Sequence, residues 1–314
     1  MKTLLFMDKL LFKYGFPNHP LTPLRYKYFQ EYLDESGLLD NPDLVIASSS
    51  VADESLIALF HTEPYIQRVK ELSEVGYGLL DRGDTPAYKG VYEVAASSVY
   101  ATVEAVKKVV EGKYQFALNL AGGWHHAMRH SAGGFCVFND IGVAIEYLKK
   151  WRSPNYRILY IDIDAHHGDG VYYPFESDPY VYIFDIHEDG RYLYPGTGFA
   201  HEEGSGPAKG TKKNIPLPPY SGDDELLKHI DEACSFAREI DPNIILLQGG
   251  LDGLAGDPLT HLNYTVDGYI NSVRKILETS LDLGIGLVFL GGGGYQPKVV
   301  ARTWVEIIRL MLSL

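Results

Sequence analysis

Short runs dense in apolar and β-branched residues alternate along the chain with longer runs in which apolar positions recur every three or four residues. The short runs cover 3–7, 115–120, 157–164, 180–186, 243–248 and 286–290. Several are apolar at nearly every position, which predicts strands buried on both faces of a parallel sheet. The longer runs cover 91–111, 140–150, 224–240, 266–283 and 298–312 and predict helices. In the second of these, Ile141, Ala144, Ile145 and Leu148 share one face, with Asn139 or Asp140 as the N-cap. Pro297 stands just before the last, a good first-turn residue.

This alternation predicts the α/β class: an open parallel sheet covered by helices on both faces. No Pro/Ser linker, repeat or low-complexity tract divides residues 1–314, so one domain is expected although the length would accommodate two. In such folds ligands collect beyond the carboxyl ends of the strands. The chemically useful side chains of this sequence gather there. AGGWHHA (121–127) follows the second predicted strand and DIDAHHGDG (162–170) closes the third. GGLDG (249–253) and GGGGY (291–295) follow the fifth and sixth.

Composition narrows the function classes. The 46% hydrophobic and 22% charged residues are those of a globular protein. A formal charge of −13 argues against a general nucleic-acid binder and would attract cationic substrates. Cys136 and Cys234 form no CxxC, so neither a disulfide framework nor a cysteine zinc site is indicated, and a reducing cytoplasm is expected. Asp8 and Lys9 interrupt the N-terminal apolar run before it reaches signal-peptide length. No uninterrupted apolar run of ~18 residues is present to span a membrane.

Asp164 and His166 alternate in a segment read as extended, so both side chains point the same way. Asp252, at another strand end, is the third candidate ligand. Two carboxylates and one imidazole suit a divalent ion with positions left for water and substrate, most simply zinc, with ferrous iron or manganese also accepted. Without an ion, the same residues read as a polar strand end. His125 and His126, beside a metal, supply a base for water and an acid for a leaving amine; otherwise one of them is structural. Asp162 and Asp169 remain to hold the two imidazoles in their working tautomers. GGGGYQP lacks the GK[ST] ending of a P-loop, and no GxGxxG exists, so the glycines read as close backbone approach that swings Tyr295 inward. Its hydroxyl then faces a developing oxyanion, unless Tyr295 is one more core residue among the 23 tyrosines. No GxSxG elbow or HExxH pair is present, and Cys136 reads as a buried structural thiol.

GGWHHA (122–127), GGFCVFND (133–140), DIDAHHGDG (162–170), YPGTG (194–198), LDGLAGDPL (251–259) and LGGGGY (290–295) together resemble the zinc-dependent histone deacetylase family. The likeness is to its short bacterial and archaeal members, the acetoin-utilisation type. It implies the arginase/deacetylase-like three-layer α/β/α fold. It implies Asp164, His166 and Asp252 as zinc ligands, His126 as general base then acid, His125 as its electrostatic partner and Tyr295 as the group that polarises the acetyl carbonyl. Asp162 and Asp169 match the carboxylates behind the histidines. Gly134, Phe135, Tyr194 and Leu259, with Trp124 nearby, match the acyl-lysine channel. Asp84 matches the rim aspartate that grips the substrate backbone, and Arg25 an arginine lining an inner acetate cavity. Tyr194 stands where phenylalanine is usual. Asp185 stands where many relatives carry a serine that helps bind potassium, which leaves the K+ assignment open.

The implied activity is hydrolysis of the acetyl amide on a lysine side chain of a protein. The nearest rival is an acetylpolyamine amidohydrolase acting on a small acetylated amine. An arginase-like ureohydrolase would need a second metal and another ligand set. A non-catalytic acyl-lysine-binding module would not need every catalytic position filled.

Overall fold

The computed structural model describes residues 2–314. Eight strands form one sheet: β1 (Thr3–Phe6), β2 (Leu44–Ala47), β3 (Phe116–Asn119), β4 (Ile158–Asp162), β5 (Val181–Glu188), β6 (Lys212–Leu217), β7 (Ile244–Gln248) and β8 (Leu287–Leu290). Their order is β2-β1-β3-β8-β7-β4-β5-β6, and every neighbouring pair is parallel. The helices are α1 (Leu24–Glu35), α2 (Glu54–Ile57), α3 (Glu63–Val75), α4 (Val91–Val110), α5 (Asp140–Trp151), α6 (Asp169–Tyr172), α7 (Asp223–Ile240), α8 (Val266–Asp282) and α9 (Pro297–Ser313).

The apolar runs do what their pattern demands. β1, β3, β4, β7 and β8 are buried at every residue. Helices flank the sheet in two groups, with α4 packed on α5 and α3, and α1 on α9, α9 on α8 and α8 on α7. Asn139 caps α5 by accepting the Gly142 N–H at 2.8 Å, and Thr265 caps α8 through Gly268 N–H at 3.0 Å.

All six expected strands are present, a residue or two shorter at most ends. Two were not expected. β2 and β6 are the edge strands. β2 has one fully buried residue in four, and β6 carries lysines and a proline, the devices that blunt an open edge and erase the apolar signal. α1 and α3 also lie outside the expected set. α1 buries Arg25, Tyr26, Phe29 and Leu33, a stripe whose charge and polar aromatics hide its period.

The chain passes from β3 to β4 over two positions that β8 and β7 fill later. The four strand ends singled out by sequence therefore belong to adjacent central strands, β3-β8-β7-β4, where the connections reverse direction.

Candidate active site

The histidine pair is positioned from the start of α5. The buried Asp140 carboxylate accepts N–H groups from Gly123 at 3.0 Å and Trp124 at 2.9 Å and the Thr102 hydroxyl at 2.6 Å. Asn139 donates its amide to the carbonyls of Ala127 and Gly170, both at 2.9 Å. These ties hold the turn after β3 against the first turn of α6. Trp124 completes the anchor, stacked on Tyr14 at 3.9 Å between ring centroids.

Each histidine is oriented by a buried carboxylate. His125 Nδ1–H donates to Asp162 Oδ2 at 2.7 Å and His126 Nδ1–H to Asp169 Oδ1 at 2.7 Å. The Tyr160 hydroxyl donates to the same Asp162 oxygen. Both Nε2 atoms are thereby left for the cavity side. Burial and the adjacent His125 lower the His126 pKa against the pull of Asp169, which keeps this ring neutral at physiological pH.

Asp164, His166 and Asp252 converge, each offering a ligand atom within 4.8 Å of the others. The route differs from the expectation. β4 ends at Asp162, so Asp164 and His166 do not alternate along a strand. They meet through a bend in which Asp164 Oδ1 accepts the His166 N–H at 3.0 Å. Gln248 Nε2–H and Gly293 N–H hold the other Asp164 oxygen at 2.9 and 2.8 Å, and Ala165 N–H holds Asp252 Oδ1 at 2.8 Å.

The donor set fits a divalent cation. Burial alone would lower the His166 pKa, but its hydrogen bonds to Asp164 and Asp252 outweigh it and raise the ring to about 10. Two buried carboxylates facing one imidazole demand positive charge, and a metal ion supplies it. The glycines clear the space. A Cβ on Gly250 would lie 1.9 Å from Asp164 Oδ2, and one on Gly293 2.2 Å from Asp252 Oδ2. Gly250→Ala should therefore weaken metal retention by at least about tenfold. Metal analysis of the purified variant checks this, and a full equivalent of ion would show that Asp164 can move aside.

A narrow cavity opens onto this cluster. Gly134, Phe135 and Tyr295 line it together with His126 and His166. Gly134 has φ +52°, and a Cβ there would come within 2.3 Å of the His126 ring, so the wall touches the histidine at a position only glycine can fill. Phe135 meets Tyr295 edge-on at 5.8 Å. Tyr194, 46% exposed, stands over the mouth with its ring 5.0 Å from His126. Cys136 is buried in the wall, and burial pushes its thiol well above the usual range.

Other expected residues lie further out. Leu259 is half-buried on the loop after β7, where its N–H meets Asp257 Oδ1 at 3.0 Å, and it does not line the inner cavity. Asp84 is exposed, its backbone carbonyl accepting from His19 Nε2 at 3.1 Å. Partial desolvation and the neighbouring Asp81 raise its carboxyl pKa to about 6. Arg25 is fully buried behind the site. Its Nη1–H donates to the Gly292 carbonyl at 2.9 Å, and its guanidinium lies against Tyr26, Trp124 and Trp304. Asp185 is engaged by protein donors: His187 Nδ1–H at 2.6 Å and Gly168 N–H at 2.9 Å.

Beyond Asn139 and Asp140, four more positioning residues have no role in the sequence pattern. Gln248 holds Asp164. Tyr160 holds Asp162. Asp257 Oδ2 accepts the Tyr295 N–H at 2.9 Å, and Asp81 gathers the N–H groups of Gly83, Asp84 and Thr85. Only Asp81 leaves a local signal, the Asx-type turn of Asp81-Arg82-Gly83-Asp84.

Among the described residues no helix is long and apolar enough to cross a membrane. Residues 19–311 match the histone deacetylase domain. The chain is 39% identical over 306 residues to the acetoin utilization protein AcuC of Bacillus subtilis (strain 168), covering 92% of this chain and 77% of that one. It is 34% identical over 321 residues to AcuC of Staphylococcus aureus (strain MSSA476), covering 98% and 81%. Among solved structures it resembles an HDAC homolog from Aquifex aeolicus at TM-score 0.86 and 33% identity, covering the whole of this chain and 84% of that one. An HDAC homolog complexed with SAHA matches at TM-score 0.85 and 33% identity, covering 99% and 84%. With an eight-stranded parallel sheet of the arginase/deacetylase kind, a buried Asp–His–Asp cluster and these relatives, the chain belongs to the histone deacetylase family.

Proposed function

We propose that this protein is a zinc-dependent hydrolase that removes the acetyl group from Nε-acetyl-lysine in proteins. The observation that carries the reading is the cavity in which His126, Tyr295 and Phe135 surround the approach to Asp164 and His166. Asp164, His166 and Asp252 would hold the ion, which when bound would polarise the acyl carbonyl and acidify a water. His126, neutral and steadied by Asp169, takes the proton of the attacking water through Nε2 and returns it to the departing amine. His125, steadied by Asp162, is its electrostatic partner: the ring that lowers the His126 pKa favours return of the proton to the departing amine. The Tyr295 hydroxyl donates to the carbonyl oxygen as it becomes anionic. Phe135 and Tyr194 flank the aliphatic stem of lysine, while Gly134 lets that stem pass close to His126. Leu259 extends the wall, Asp84 accepts from the substrate backbone at the rim, and Arg25 receives the acetate product in the interior.

A cytoplasmic location belongs to the same reading, supported by the two free, buried thiols. The −13 charge favours a cationic partner, either a lysine-rich protein segment or a small amine. Turnover of an acetyl-lysine peptide against acetylputrescine, with metal analysis on the same preparation, tests the substrate. The peptide should be preferred by at least about tenfold, because a small amine leaves the rim contacts unmade. Preference for acetylputrescine would transfer the same chemistry to a polyamine deacetylase.

A further inference from the structure

His187 is the one buried histidine near the site whose two ring nitrogens both face oxygens that can only accept. Nδ1 lies 2.6 Å from Asp185 Oδ1 and Nε2 lies 2.9 Å from the Gly198 carbonyl. The ring is completely buried. Asp185 is held ionised, since His187 and the Gly168 N–H outweigh burial and lower its pKa. A neutral imidazole with one N–H then satisfies only one of the two partners, so both bonds are made by the doubly protonated ring. Burial opposes that charge, but Asp185 outweighs it and raises the His187 pKa. The carboxylates of Asp185, Asp162 and Asp189 and the imidazole of His167 are the titratable groups that face it.

The two partners belong to different segments behind the site. Asp185 also accepts the Gly168 N–H at 2.9 Å. Gly168 stands between the candidate ligand His166 and Asp169, the partner of His126. Gly198 closes the turn 194–198 that begins with Tyr194. A continuous buried chain therefore runs from Gly168 N–H through Asp185 and His187 to the Gly198 carbonyl. His167 adds a parallel tie, its Nδ1 2.8 Å from Thr197 Oγ1, with its ring 5.0 Å from that of His187. The packing leaves no slack. A Cβ on Gly198, at φ +82°, would lie 2.5 Å from both His167 Cγ and His187 Nε2. On the outer side Glu202 Oε1 accepts the N–H groups of Gly198 and Phe199 at 2.9 and 2.8 Å. None of Asp185, His187, Thr197 and Gly198 lines the cavity.

We propose that His187, held as an imidazolium by Asp185, is a positioning residue that locks the Tyr194 wall to the segment bearing His166 and Asp169 and so sets how tightly the channel grips its substrate. His187 acts through Tyr194 and touches no reacting atom. The lock is complete while His187 carries both protons and loses one hook as pH rises through the raised pKa of the ring. Asp185→Asn separates charge from geometry. Its amide can donate to a neutral His187 Nδ1 and accept from Gly168 N–H, leaving Nε2–H for Gly198, so every hydrogen bond survives without the charge.

The test combines nitrogen-15 NMR of the histidines with kinetics on the metal-loaded protein. Wild type should show both His187 nitrogens protonated at pH 7, and Asp185→Asn a single protonated nitrogen. His187→Ala removes both bonds and should raise KM for an acetyl-lysine peptide about tenfold, the worth of the charged hydrogen bond to Gly198 that holds the Tyr194 segment, with kcat and bound metal kept. Asp185→Asn should stay close to wild type and lose the alkaline rise in KM. If the alanine variant does not fold, His187→Gln, which can donate to Gly198 or Asp185 but not both, takes its place with the same expected direction. A singly protonated ring in wild type overturns the proposal. So does an unchanged KM, or a loss of kcat and metal that Asp185→Asn shares, since the pair would then serve the metal cluster. The kinetic arm rests on the deacetylase reading. If no acetylated lysine is turned over, that reading fails, and the NMR arm still decides the protonation on which the lock depends.

Discussion

Replacing His126 with alanine should lower kcat for an acetyl-lysine substrate by about 10²–10⁴-fold, the usual worth of a general acid–base group. The bound metal should stay, because Asp164, His166 and Asp252 do not hydrogen-bond to His126. The substitution removes an interaction made in the transition state, so kcat should fall while KM changes little. The pH profile gives a second reading. A base works only when deprotonated, so kcat/KM should decline as pH falls through the His126 pKa. Burial and His125 lower that pKa from 6.5, which puts the acidic limb below this value. The alanine variant should lose the limb with the rate. Full turnover by a metal-loaded variant would remove His126 from the mechanism.

His125 is not interchangeable with it. The two rings lie 4.1 Å apart, yet their carboxylates differ in surroundings. Asp162 is enclosed among Tyr160, the Asp164 N–H and the nearby Asp185, and burial and Asp185 push its carboxyl well above the usual range. Asp169 lies in the first turn of α6 and is slightly exposed. Asp162 is thus the sealed carboxylate and Asp169 the one nearer solvent, which agrees with a proton-transfer role for His126 and a supporting role for His125.

The central part of this site was legible in the sequence because its physics is local. Strands buried on both faces have to be apolar, so β3, β4, β7 and β8 were visible. The groups that interrupt them at their carboxyl ends, His125, Asp164, Asp252 and Tyr295, stood out by contrast. The edge strands β2 and β6 did not, since solubility requires them to look unlike strands. The bend at Asp164 was invisible because it depends on Gln248 and Gly293, which lie far along the chain and arrive only when β7 and β8 slot between β3 and β4. Asp185 shows the remaining limit. Its sequence position leaves a potassium assignment open and does not reveal the partners that the fold brings to it, His187 two residues on and the Gly168 N–H.

Tyr295→Phe should cost about 10²–10³-fold in kcat, the effect of losing one donor to a developing oxyanion. The argument rests on what holds the residue and what leaves its hydroxyl free. Asp257 fixes the backbone through the Tyr295 N–H, Gly294 at φ +126° turns the chain inward, and Phe135 packs edge-on against the ring. All three contacts survive in phenylalanine, so the fold, metal content and melting temperature should be unchanged. Burial, Asp252 and Asp164 raise the phenol well above its ordinary pKa. It therefore stays protonated through neutral pH and can donate. KM should move little, because a ground-state carbonyl gains less from the donor than the oxyanion does. The phenylalanine variant should also retain the acidic limb assigned to His126, at a lower plateau. A full rate in this variant would make Tyr295 a packing residue and leave the oxyanion to the ion alone.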